Sequence, residues 1–324
     1  MAALFTVTGL LLVILCAIVV VLLVQLLGRA AVAAEGWEPG TRSGLRRVQR
    51  TLASCLGAAT LVLVGGVALS SLVPSWLGLP LAVAPGLAAS LALLGFAGWP
   101  TTRPQDGAGP TSASLTPREA WTFGSRWSFV GPALLAAVFL VLLAVAAGLA
   151  SPDSAGRMRA FTLTQGDMES TASPFPGSFY GVPLAVVTVL LMVSTYAALR
   201  RMATSAVIVP SGPGRPGDPS GAAAIDRRWR EITTRVVLRI STAALLGQAA
   251  GCLVFAGSAM HHASDFVENG GLPSPWSAAG LVVTIVGQVS LLVAAVLAGA
   301  AVAAVLSLRD QAVRPPRLPA GHGS

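Results

Sequence analysis

Two histidines and two carboxylates fall within eight residues of "HHASDFVE": His261, His262, Asp265 and Glu268. If a helix continues past residue 260, His261, Asp265 and Glu268 stand at i, i+4 and i+7 and share one face. An imidazole with two carboxylates is a donor set for a divalent ion such as zinc or manganese. Three donors on one helix do not enclose an ion, so a fourth would have to come from Asp153, Asp167 or Glu169. A paired histidine is also a group that changes charge near neutral pH. The plainer expectation is a helix end, where polar residues mark the return to water and "NGG" at 269–271 provides the stop. That expectation needs no ion, and no metal or other cofactor is assigned from the sequence.

The other polar groups inside apolar runs are amides. Gln248 lies in "GQAAG", and Gln288 lies at comparable depth in the next apolar run. Small neighbours let helix backbones approach closely, so the expectation is an interhelical Gln248–Gln288 hydrogen bond, worth about 0.6–2 kcal/mol. A role lining a solute path is the alternative. Pro85 lacks an amide donor and Gly86 is flexible, so "GLPLAVAPGLAAS" is expected to kink near mid-membrane. Carbonyls freed there are a device that transporters use. No ionisable residue is expected near the membrane midplane, which argues against proton-driven transport. A phosphate-binding Gly-rich loop, a G-x-S-x-G elbow and H-E-x-x-H are all absent, and no catalytic residue is assigned.

These residues sit in a chain that only a bilayer can accommodate. Charged residues make up 10% of it, against about 25% in soluble domains. Spans of about 20 apolar residues are expected at 4–27, 51–73, 76–99, 128–150, 180–199, 236–260 and 276–308. The expected fold is therefore an all-α, polytopic transmembrane bundle of seven helices in a single membrane domain. The first run resembles a signal peptide, with "AVA" at 31–33. It is kept as a span because no positive charge precedes it and it exceeds the usual apolar core of such peptides. Cys16, Cys55 and Cys252 all lie in apolar runs and are expected to pack rather than react.

Direction follows from arginine. The chain has no lysine, and its 21 basic residues are all arginine. With the N-terminus outside and the C-terminus in the cytoplasm, nineteen arginines fall inside, and only Arg157 and Arg159 fall outside. The positive-inside rule selects that orientation. Trp76, Tyr180 and Trp276 then mark outer ends, and Trp99, Trp127 and Tyr196 inner ends. Topology accounts for the net charge of +8, so nucleic acid is not an expected partner.

Segments 100–120 and 209–221 have linker composition, and 309–324 is expected to be a disordered tail. In "IDRRWREITTRVV", Ile225, Trp229, Ile232 and Val236 recur at helical spacing opposite arginines. This predicts an amphipathic helix lying on the inner surface, where anionic lipid would meet its basic face. "RAFTLTQGD" predicts a short strand reaching a turn, with "SPFPGSFYG" packing aromatics at the outer rim. A repeated passage from clustered arginine to a Gly-bearing run, starting at "LRRVQR" and again at "RRWREI", raises a duplicated hairpin as an option.

Three functions fit a multi-pass protein of the bacterial cytoplasmic membrane. The leading expectation is a non-catalytic accessory, assembly or signalling partner of another membrane system, with a membrane-protein partner or a second copy of itself. The alternatives are a channel or transporter for a small neutral solute and an outer-face metal protein or enzyme.

Overall fold

The computed structural model describes residues 39–99, 119–124, 126–165, 167–205, 222–268 and 275–308. The expected span at 4–27, the linker at 209–221, most of 100–120 and the tail at 309–324 lie outside the described residues. Six helices are long and apolar enough to cross a membrane: α1 (Pro39–Leu72), α2 (Leu79–Gly98), α3 (Arg126–Leu149), α4 (Ser178–Thr204), α5 (Ala222–Glu268) and α6 (Pro275–Leu306). A three-stranded antiparallel sheet, β1 (Ser151–Pro152), β2 (Met158–Gln165) and β3 (Met168–Ala172), joins α3 to α4. The bundle thus has a sheet end and, opposite it, an arginine end where α1 and α5 begin.

The outward face is what lipid demands. On α3, Leu134, Val138, Val141 and Val145 are exposed at steps of four, three and four residues, one continuous apolar stripe. The interior carries the hydroxyls instead. Ser90, Thr188, Ser194, Thr195, Thr233, Ser241 and Ser264 are all buried. Most of them donate to the carbonyl four residues back, as Ser90 does to Gly86 (2.7 Å) and Thr188 to Leu184 (2.8 Å). That bond satisfies the hydroxyl without a partner helix.

Helix α5 packs against α2, α3, α4, α6 and the sheet, so it is the centre of the bundle. Its closest companion is α6. Gly280, Gly287, Ala294 and Ala301 are all buried and recur every seven residues along α6. A Cβ on Gly280 would stand 2.6 Å from the Gly257 carbonyl oxygen, and one on Gly287 would stand 2.8 Å from Val254. Ala243, Ala250, Gly257 and Ser264, again seven apart and buried, form the matching line on α5. Small residues on both lines let the two backbones touch, and the sevenfold spacing keeps that seam facing inward along both helices.

The α1–α2 hairpin is tight. A single 3₁₀ turn over Pro74–Trp76 leads to Leu77 (φ 54°) and Gly78 (φ 79°), both left-handed. Glycine adopts that conformation at no steric cost, whereas leucine does not. The Leu77 carbonyl is held by the Tyr180 hydroxyl, which donates to it at 2.7 Å. Tyr180 is one of the aromatics expected at this rim.

The helix that carries the span expected at 51–73 starts earlier, at Pro39, because "PGTRSGLRRVQR" is already helical and buries Leu45 and Val48. One expectation needs correction. The amphipathic segment is not a separate helix lying on the surface. It forms the first turns of the 47-residue α5, and its apolar positions Trp229, Ile232 and Val236 pack inside the protein at 0–5% exposure. Pro85 occupies the seventh of the twenty positions of α2.

Candidate functional site

Polar side chains gather at three levels: the sheet end, the centre of the bundle and the arginine end.

At the sheet end, α5 continues to Glu268 and carries both histidines. His261 Nδ1 lies 3.0 Å from Ser277 Oγ on α6. His261 Nε2 and His262 Nδ1 lie 3.8 Å and 3.7 Å from the two oxygens of Asp265. One carboxylate therefore sits between two imidazoles, all of them partly in solvent. Among the described residues, no group of three or more His, Cys, Asp or Glu side chains is placed to hold a metal ion. The Glu268 side chain lies outside the described residues. Asp153, one of the acids considered as a fourth ligand, is committed elsewhere.

Asp153 organises the cap. Its Oδ1 accepts the amides of Ala155 (2.8 Å) and Arg157 (2.9 Å), and its Oδ2 accepts the Nε–H groups of Arg157 and Arg159. The Arg157 amide, the Arg159 guanidinium and the Ala155 amide hold the Asp153 carboxyl well below the usual carboxylate range, against partial burial that works the other way. Beneath it, Phe161 and Phe175 stack at 5.3 Å between centroids, and Trp276 of α6 meets Phe161 edge-on at 5.5 Å. Phe161, Phe175, Met260 and Ala263 form one buried cluster, which seats the sheet on α5. The strand expected in "RAFTLTQGD" is present as β2, and it pairs with β3 from Phe161–Ala172 to Gln165–Met168. "SPFPGSFYG" supplies the aromatics, through a cis Ser173–Pro174 bond.

At the centre, the expected Gln248–Gln288 contact is not made. Gln248 is 2% exposed, whereas Gln288 faces outward. The reason is azimuthal: Gly287 faces α5, so its neighbour Gln288 points about 100° away. Gln248 instead rests on Gly86 of α2. A Cβ there would stand 2.6 Å from its Nε2 and 2.8 Å from its Cδ. Neither Gln248 Nε2 nor Oε1 has a hydrogen-bond partner. An unsatisfied amide in an apolar interior costs about 2–7 kcal/mol, depending on the reference state.

At the arginine end lies a group that the sequence reading missed. Arg230 is fully buried. Its Nε donates to Asp226 (2.9 Å), Nη1 to the Met202 carbonyl and to Ser205 Oγ (3.1 Å), and Nη2 to the Ser205 carbonyl (2.9 Å). Trp229 donates to the other Asp226 oxygen at 2.9 Å, and Phe123 lies 5.3 Å from the guanidinium. A guanidinium has five donors in a fixed fork, and here they close the carbonyls left open where α4 ends. Gln49 does the same for α6, donating to Val305 and Leu306 at 3.1 Å each. The "DRRWR" spacing, Asp226 to Arg230 at i, i+4, was the available signal.

Comparison with known protein families, curated proteins and solved structures finds no match.

Proposed function

We propose that this chain is a non-catalytic multi-pass protein of the bacterial cytoplasmic membrane that serves as an accessory, assembly or signalling partner of another membrane system. Its sheet end faces outward and its arginine end lies in the cytoplasm, an orientation supported by the uneven placement of its arginines. On this reading, segment 4–27 adds a seventh span. The exposed arginines Arg227 and Arg235 meet anionic lipid at the cytoplasmic face.

The observation that carries the partner role is the cap. It is a preformed three-stranded sheet, braced by Asp153 and seated on aromatics, with Thr171, Met168 and Glu169 exposed on β3. A loop needed only to connect α3 to α4 would not require that bracing.

Two measurements test the reading. Reporter fusions should place residue 165 outside and residue 324 in the cytoplasm; the reverse result ends the orientation. A photocrosslinking side chain at Thr171 should give a discrete protein adduct in native membranes, while one at the lipid-facing Val141 should give lipid adducts. Lipid adducts alone from both positions would sink the partner role.

A further inference from the structure

The partner reading leaves Gln248 unexplained, and the two are independent. Its level in the bundle is fixed by a bond between α4 and α5. Thr195 Oγ1 and Ser241 Oγ lie 2.7 Å apart. These helices run in opposite directions, so seven residues further toward the sheet end Thr188 and Gln248 stand level with each other. Gly86, against Gln248, and Ser90, one turn on, bring α2 to the same junction. Ser90 and Thr188 each donate to a carbonyl of their own helix, which leaves their oxygen lone pairs free to accept.

The junction therefore offers one amide with a donor and an acceptor side by side, and two hydroxyl oxygens able to accept. It offers no charge. The nearest basic residue along α5 is Arg239, about 13 Å away at the helical rise. Apolar surroundings disfavour an ion without a counter-charge. Glycine at position 86 lets the amide rest on the α2 backbone beside Val187 Cγ1, and Pro85, in the same turn, has no N–H to give the Leu81 carbonyl.

We propose that Gln248 is the centre of a binding site for a small uncharged primary amide, of the acetamide or urea class. A carboxamide is self-complementary: its N–H and C=O pair with those of a second carboxamide through two parallel hydrogen bonds. Ser90 and Thr188 accept the guest's remaining N–H. A carboxylate guest is excluded by the absence of a cation. A polyol must freeze two rotatable hydroxyls to match that planar pair, which weakens its binding.

The test is side-chain NMR of the full-length protein in lipid nanodiscs, labelled with ¹⁵N-glutamine, with Gln248→Leu assigning the resonance. Acetamide should shift the Gln248 side-chain signals saturably, while those of the outward-facing Gln288 shift only linearly, with solvent. Glycerol should produce no saturable shift over the same concentrations. Gly86→Ala should weaken acetamide binding at least tenfold. Thr188→Val, which leaves Gly86 untouched, should weaken it severalfold and keeps the test decisive if Gly86→Ala does not fold. A linear Gln248 shift matching that of Gln288, equal binding by Thr188→Val and wild type, or a Gln248 signal that exchanges with water but ignores acetamide would each overturn the proposal.

Discussion

The two ends of the bundle solve one problem in opposite ways. At both, helices finish near the membrane boundary and their last carbonyls need donors. At the arginine end the donors are side chains reaching between helices. Arg230 closes α4 and Gln49 closes α6, and both are buried. At the sheet end packing holds the chain instead. The chain folds a small sheet over the helix ends and fastens it with a partly solvated acid, Asp153, and an aromatic cluster. The first arrangement concentrates stability in a few irreplaceable atoms. The second spreads it over many replaceable contacts, and it leaves a surface free to vary.

This contrast predicts unequal responses to substitution. Arg230→Met removes one member of a buried ion pair, the cation beside Asp226. It should cost about 3–5 kcal/mol, read as a lower thermal-unfolding midpoint in detergent. A loss below about 1 kcal/mol would remove the distinction between the ends. Gly280→Val forces α5 and α6 apart where a Cβ already lacks room. The overpacking should cost about 1–3 kcal/mol, and a tolerated valine would show that the seam is slack.

At the sheet end the effect is local and depends on pH. The folded Asp153 carboxyl titrates below its unfolded counterpart. Its contribution is therefore complete above the unfolded value of about 3.9 and is lost as pH falls through the lower folded value. Amide exchange of β2 and β3 should quicken selectively as pH drops below about 4, once corrected for intrinsic exchange. In Asp153→Asn it should be fast already at neutral pH. Equal protection in the variant would mean that the aromatics alone hold the cap. The smallest effect belongs to Gln288→Leu, a lipid-facing amide of no partner, expected within about 0.5 kcal/mol of wild type.

How far the sequence revealed this molecule depends on which physical variable a residue reports. Depth is legible, because apolar length and flanking arginines set it, and six of the expected spans appear close to their places. The strand in "RAFTLTQGD" is legible because its β-branched and aromatic residues are a local signal. Azimuth is harder. Gln248 and Gln288 lie at similar depth, yet they face opposite ways. The clue was the sevenfold run Gly280, Gly287, Ala294, Ala301, which marks the contact face and excludes Gln288 from it. Arg230 was read as solvated because an arginine on an amphipathic pattern usually is. Its burial depends on open carbonyls of α4, which are distant in sequence and have no signature of their own. The company of the histidine pair, Ser277 on α6, cannot be read from spacing within α5.

Helix α5 has 47 residues, and at 1.5 Å per residue it is about 70 Å long. A bilayer with its headgroups is about 40–45 Å thick. One uninterrupted rod is therefore longer than the bilayer is thick, with Asp226 and Arg230 near one tip and His261 and Asp265 near the other. A stiff rod cannot be turned or shifted at one tip alone. Whatever grips the arginine tip moves the histidine tip with it, and the amide midway along the rod travels too.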